Sequence, residues 1–251
     1  GISNLINKSN IVSMSKYRLV NVSFTRTLTE QAVKYGIRRI IFLSTIKVHG
    51  EKSNNLDLIS NKNKIITETN YSRSKHEAEE EIKKISNVSK LEYVILRIPA
   101  VYGVGTKGNF LRIMKLVKNG LPIPLKNIQN KKSFISINNL IDFLILCVKN
   151  KAAAKQTFLV SDNQDLSTIE LITKIANAMG KKPNLFKVPI ILLKLIGFIS
   201  GKSKDLDRLI NSLVIDINET CKILNWKPPY KIDDELKKMT NVFMKSHKND
   251  Q

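Results

Sequence analysis

Tyr71 and Lys75 stand four residues apart in Tyr71-Ser-Arg-Ser-Lys75, behind Phe42-Leu-Ser-Thr45 and ahead of Leu96-Arg97-Ile-Pro99-Ala-Val-Tyr102-Gly103. If residues 71 to 88 are helical, the phenol and the ammonium share one helix face, a turn apart. A neighbouring ammonium favours the phenolate, so the pair could exchange a proton near neutral pH, which is the chemistry of alcohol and ketone interconversion. The spacing alone carries little weight, because in so lysine-rich a chain a tyrosine meets Lys four residues on with a chance of roughly one in eight. The chain has six tyrosines, so about one match is expected by luck. The order carries the weight: a β-rich run from Arg39 to Leu43 ends in Ser44-Thr45, an amphipathic helix opens on Tyr71, and a second β-rich run covers Tyr93 to Leu96.

These residues need a scaffold. Residues 13 to 35 read as a helix with Leu19, Val22, Leu28, Ala32 and Val33 at near-helical spacing, stopped by Gly36. Ile40 to Leu43 is the continuous apolar run of a buried parallel strand, and a polar loop from Glu51 to Asn70 leads into the Tyr71 helix. Helix, strand, helix, strand in this order predicts a parallel sheet flanked by helices. Beyond Gly103 the pattern is mixed, with a helix from about Asn109 to Asn119, a strand Ser133 to Ile137, a helix Leu140 to Lys149 and a strand Phe158 to Val160. Ser167-Thr-Ile-Glu170 is a capping box that opens a helix to Met179, stopped by Gly180. Trp226-Lys-Pro-Pro229 and a helix from Asp233 to about Phe243 close a small α-rich C-terminal lobe.

Composition narrows the functional classes. The 251 residues suffice for one domain, or one domain and a small lobe, with a full core. The formal charge of +21 invites a polyanion reading, but lysine is spread along the chain and far outnumbers arginine, as a solvated surface would have it. Cys147 and Cys221 are the two cysteines, and they suggest neither a disulfide framework nor a metal cluster. A reducing cytoplasm fits. No stretch reaches the roughly 18 apolar residues of a membrane span. Val188 to Ile199 comes nearest, is broken by Lys194 and Gly197, and reads as a buried or lobe-packing helix. The N-terminus lacks the basic head and apolar core of a signal peptide.

Over nearly its whole length the chain resembles the extended short-chain dehydrogenase/reductases, in the branch of nucleotide-sugar epimerases, 4-keto-sugar reductases and dehydratases. Asn21-Val-Ser-Phe-Thr25 resembles the family's Asn-Val-x-Gly-Thr helix, and Phe42 to Gly50 its Ser-Ser-x-x-Val-Tyr-Gly strand end. Leu96 to Gly105, Lys132 to Asn139 and Asp216 to Pro228 resemble three later segments, the last closing on Leu-Gly-Trp-x-Pro. The resemblance implies an α/β Rossmann-like parallel sheet, a partial dinucleotide-binding domain over residues 1–105, and over 106–251 a segment returning to the sheet plus a substrate lobe. It implies Tyr71 as the acid/base, Lys75 as the holder of the nicotinamide ribose that also lowers the Tyr71 pKa, and Thr45 as the partner of the reacting oxygen. Ser44 and Pro99 would line the nicotinamide pocket, with Asn21 supporting the cofactor side. Asn109 and Phe110 would cradle the nucleotide diphosphate, and Lys132 and Arg208 would pair with its phosphates. His49 stands where the family prefers Tyr and reads as a packing residue.

The implied cofactor is NAD, with NADP an alternative. The implied partner is a nucleotide-diphosphate sugar, a homodimer is compatible with the family, and neither nucleic acid nor a membrane span is expected. The chain has no Gly-x-x-Gly-x-x-Gly turn, so the expectation is that roughly the first third of the nucleotide-binding domain lies outside it, leaving the Ile40 strand with an unpaired apolar edge. Phe24 replaces the family's Gly and is expected to obstruct a close helix approach; Lys132 replaces Arg and Asn138 replaces Asp. Ile46 and Lys47 stand where dehydratases carry an acidic pair, which points away from water elimination. The expected function is a nucleotide-sugar 4-epimerase of the UDP-glucose or UDP-N-acetylglucosamine type, with a 4-keto-6-deoxy-sugar reductase or an inactive remnant as alternatives.

Overall fold

The computed structural model describes residues 13–53, 58–201 and 203–247, the side chains of Lys204 and Asp205 excepted. The described residues open on α1 (Met14–Tyr17), pass through a π-helical stretch (Arg18–Ser23) into α2 (Phe24–Lys34), and enter β1 (Arg39–Thr45). Then come α3 (Asn70–Asn87), β2 (Glu92–Ile98), β3 (Ala100–Tyr102), α4 (Gly108–Lys118), β4 (Phe134–Ser136), α5 (Ile137–Lys149) and β5 (Gln156–Leu159). The rest is helical: α6 (Thr168–Ala178), α7 (Ile190–Ile199), α8 (Ser203–Ile210), α9 (Asn218–Leu224) and α10 (Ile232–Ser246).

β1, β2 and β5 form a parallel sheet in that order, with Thr45 opposite Ile98 and Leu96 opposite Phe158. This is the parallel, helix-flanked architecture expected. β2 lies in the middle, and Val94, Ile95 and Leu96 are fully buried, which is why its sequence is an unbroken apolar run. Among the described residues β1 has one strand neighbour, and Leu43 on it is 41% exposed. Pro99 interrupts the ladder after Ile98 because it has no N–H to donate. The chain resumes as β3, a strand not separated in the sequence, which pairs in parallel with β4 in a second small sheet. The strand expected over Ser133 to Ile137 shortens because the Ser136 side chain accepts from the Asn139 amide and starts α5 there.

The first helix corrects an expectation. Leu19, Leu28 and Val33, chosen as its core face, are exposed, while the polar stripe Asn21, Thr25 and Thr29 is buried. The buried stripe faces α3, where Asn21 Nδ2 donates to Ser74 Oγ at 3.0 Å and Arg18 and Arg26 flank the contact with ion pairs to Glu77 and Glu81. Phe24 is exposed and obstructs no packing among the described residues. Gly36, at φ +66°, ends α2 in a left-handed turn that a side chain would strain.

Two apolar clusters hold the rest. One lies on the sheet, where Val94 and Leu96 meet Phe143, Phe158 and Trp226. The other joins α4, α6 and α10 through Phe110, Met114, Ile172, Ile175, Leu236 and Met239. Asp162 links β3, β4 and α5: it accepts from Tyr102 Oη at 2.7 Å, the Ser136 amide at 2.9 Å and Asn139 Nδ2 at 2.7 Å. The helix expected near Val188 to Ile199 is α7, but it buries only Leu193 and Gly197, so most of its apolar surface faces outward.

Candidate active site

The carboxyl ends of β1 and β2 and the amino end of α3 meet at one place. Thr45 is the last residue of β1, and its Oγ1 accepts from the Lys47 amide at 3.3 Å as the chain turns away. α3 starts one residue before Tyr71 because Thr69 and Ser72 form a reciprocal capping box, with Thr69 Oγ1 and Ser72 Oγ each accepting the other's amide proton at 3.1 Å. These two local devices, a strand end and a helix cap, bring the Tyr71 phenol and the Thr45 side chain into the lining of one cavity. Tyr17 packs beside it with ring centroids 6.3 Å apart.

Lys75 follows one turn later and is buried. Its Nζ lies 3.8 Å from the centroid of the Phe42 ring, a cation–π contact in place of a carboxylate. Burial lowers its pKa to about 8, opposed by the charge of Glu79. Burial raises the Tyr71 pKa, with the Thr45 hydroxyl opposing and Tyr17 adding to the rise. The expected lowering of the Tyr71 pKa by Lys75 is therefore not the balance found at the phenol.

A cavity of about 500 Å³ opens on Thr45 and Tyr71, and Lys75 is not part of its lining. Thr45, Tyr71, Pro99, Asn109, Phe110, Lys132 and Arg208, seven of the residues singled out in the sequence, line it together. Asn109 and Phe110 come from the first turn of α4, which the chain reaches through Gly103. At Gly103 φ is +145° and a Cβ would stand 2.5 Å from the Ile137 side chain, so only glycine passes there. Lys132 is half-buried, its Nζ donating to the Arg208 carbonyl, and desolvation lowers its pKa to about 8. Lys47, Glu51 and Lys107 also line the cavity, and none of them had been singled out as a ligand. Glu51 bridges Lys47 at 2.9 Å and Arg208 at 3.4 Å, tying the β1 end to α8.

Ser44 and Asn21 lie behind the cavity rather than in its lining. Ser44 donates to Glu79 and Asn21 to Ser74, so both brace α3. Glu79 is the principal residue that sequence reasoning missed. It is fully buried, eight residues after Tyr71 on the same face, with Arg97 Nη2 at 2.6 Å. Burial pushes its carboxyl upward, but His76 at 3.8 Å, the Arg97 guanidinium and the Ser44 hydroxyl outweigh that and hold its pKa at about 2. Arg97 Nη1 also donates to His49 Nε2 at 2.9 Å, which leaves the proton on Nδ1, facing the Lys64 carbonyl at 3.3 Å. His49 is thus a packed member of this network, as expected. An acid on the buried side of a helix, at i+4 from a buried lysine, was the available signal for Glu79.

A parallel sheet with its polar constellation at the carboxyl ends of the strands is the arrangement of dinucleotide-dependent α/β proteins. The chain belongs to the 3-beta hydroxysteroid dehydrogenase/isomerase family, whose model matches residues 3–189, an enzyme family with an NAD-dependent epimerase/dehydratase branch. It is 40% identical to a UDP-glucose 4-epimerase of Vibrio cholerae over 93% of this chain and 72% of that protein. It is 26% identical to an Escherichia coli O157:H7 N-acetyl-alpha-D-glucosaminyl-diphospho-ditrans,octacis-undecaprenol 4-epimerase, over 76% of this chain and 57% of that protein. In fold it is similar to a UDP-glucuronic acid 4-epimerase from Bacillus cereus solved in complex with NAD, with a TM-score of 0.75, 19% identity, and coverage of 93% of this chain and 70% of that one. No helix among the described residues is long and apolar enough to cross a membrane, and none of their side chains cluster as a metal site.

Proposed function

We propose that this chain carries the acid/base and sugar-binding half of an NAD-dependent nucleotide-sugar 4-epimerase acting on a UDP-glucose or UDP-N-acetylglucosamine type of substrate. The observation that carries this reading is that Thr45 and Tyr71 line the same cavity as Lys132 and Arg208. In this reading NAD, when bound, supplies a hydride acceptor that can also return the hydride. Tyr71 takes the proton of the sugar C4 hydroxyl and gives it back, and Thr45 holds that oxygen in line. Lys75, a buried ammonium without a carboxylate contact of its own, would exchange its place over Phe42 for a ribose hydroxyl. Lys132 and Arg208 hold the diphosphate, with Asn109 and Phe110 at its side. Lys47, a cation where a dehydratase needs an acid, suits a reaction that eliminates no water.

Residues 1–105 then form a partial dinucleotide-binding unit and 106–251 the segment that returns to the sheet and builds the substrate lobe. A cytoplasmic setting and a homodimer belong to the same proposal. The test is to incubate the protein with NAD and UDP-glucose, then UDP-N-acetylglucosamine, and follow the C4 epimer by NMR. Absence of the epimer with both sugars, under conditions where binding is detected, overturns the reading. Stoichiometric consumption of NADH or NADPH with a 4-keto sugar would establish the reductase instead. A lipid-diphosphate carrier in place of the nucleotide is a second reading, supported by the Escherichia coli relative's name and by the outward apolar face of α7. Epimerisation of a polyprenyl-diphosphate sugar, and not of the UDP sugars, would select it.

A further inference from the structure

We propose that the outer face of α7 is a docking surface for an anionic lipid bilayer. A helix that packs one side on a globular core turns a polar side to water. α7 does not. Leu193 and Gly197 face inward, and Gly197 is fitted so closely that a Cβ there would stand 3.0 Å from Leu206. At a helical spacing of about 100° per residue, the opposite side is formed by Ile191, Leu195, Phe198 and Ile199. They are 83%, 52%, 77% and 76% exposed. Lys194, exposed, falls at the flank of this face rather than at its centre.

The charge around the helix selects the occupant. From residue 171 to residue 204 the chain holds seven lysines and neither Asp nor Glu. Lys181, Lys182 and Lys187 lie exposed on the approach to α7. An apolar face rimmed by lysine matches a bilayer whose headgroups are anionic and whose interior takes Ile, Leu and Phe. A second copy of this chain matches poorly, because a two-fold contact through α7 would bring two lysine-rich rims together. Nucleic acid would meet the lysines but would leave the apolar face in water. A helix of ten residues is about 15 Å long, so it lies in the membrane surface and does not cross it. The proposal does not depend on which carrier the sugar is attached to, and its test reads no catalysis.

The experiment is flotation of the purified protein with vesicles of phosphatidylcholine alone and with about 30 mol% phosphatidylglycerol added. Binding is expected to the anionic vesicles, at least about tenfold above the neutral ones, and to weaken as salt is raised. The double variant Ile191→Asn/Phe198→Asn changes two exposed side chains and is expected to keep its circular dichroism and melting temperature while losing about tenfold in vesicle binding. Lys187→Gln/Lys194→Gln should weaken binding and flatten its salt dependence. As an independent readout, emission from Phe198→Trp should shift to the blue when anionic vesicles are added. Three results overturn the proposal: no flotation with anionic vesicles, flotation of the folded Asn variant equal to that of the parent, or a lipid-free oligomer of the parent that the Asn variant dissociates.

Discussion

At the level of single residues, the chemistry rests on groups whose ordinary ionisation is disturbed by burial. The Tyr71 pKa is raised, and the Lys75 and Lys132 pKa values are each lowered to about 8. Replacing Tyr71 by Phe removes the proposed acid/base hydroxyl and keeps the ring, so turnover is expected to fall by about 10²- to 10⁴-fold with little change in melting temperature. Lys132 shows the opposite relation between stability and function. Its folded pKa lies below the unfolded 10.5, so the fold bears the cost of a desolvated charge below about pH 8 and is relieved of it as pH rises through the window up to 10.5. Lys132→Met is expected to raise stability near neutral pH by about 1 kcal/mol, to remove that rise on the alkaline side, and to weaken nucleotide-sugar binding. Urea titrations at several pH values, with calorimetric binding of UDP, check the three parts.

At the level of elements, α3 is the part that must not move, because it carries Tyr71 and Lys75 against the end of β1. Glu79 fixes it, joining Ser44 on β1 to Arg97 on β2 through one buried carboxylate. Glu79→Gln leaves Arg97 buried without its counter-charge and is expected to cost about 3–5 kcal/mol in urea unfolding. The folded pKa of Glu79, about 2, lies below the ordinary value of 4.5, so its contribution is complete above the latter and is lost as pH falls through the former. The parent should therefore lose stability from about pH 4.5 toward pH 2, and Glu79→Gln should show a flatter acid limb. At the helix start, Thr69→Ala removes half of the capping box and should cost about 1 kcal/mol, with a larger effect on turnover than on binding because Tyr71 sits in that first turn. Gly36, Gly180 and the Ser167 box were all legible as punctuation, because each acts through its own backbone. The break at Pro99 and the start of α5 at Ile137 were not, although each acts through its own backbone or side chain: the apolar run and the alternating pattern continue past both residues.

At the level of the whole molecule, the sheet formed by the described residues has β2 in its middle and β1 at one end. Amides of β2 around Ile95 are expected to exchange with deuterium at least about 100-fold more slowly than the outward-facing amides of β1, which hydrogen-exchange mass spectrometry can read peptide by peptide. The sequence by itself determined the class of fold and suggested the proposed chemistry. Apolar runs at Ile40 and Val94, the capped helix at Tyr71, and the hydroxyl at Thr45 are local patterns, and local backbone preference is enough to set them. It also placed Asn109, Phe110, Lys132 and Arg208 in one site, through resemblance rather than spacing. Only the tertiary structure decided which faces are covered. Asn21, Thr25 and Thr29 are buried while Leu19 and Leu28 are not, Glu79 is neutralised by an arginine 18 residues away, and α7 keeps its apolar side outward. The physical reason is that burial is a property of neighbours. A helix repeats its side chains every 3.6 residues whatever lies beside it, and only the packed chain says which of its faces meets protein and which meets solvent.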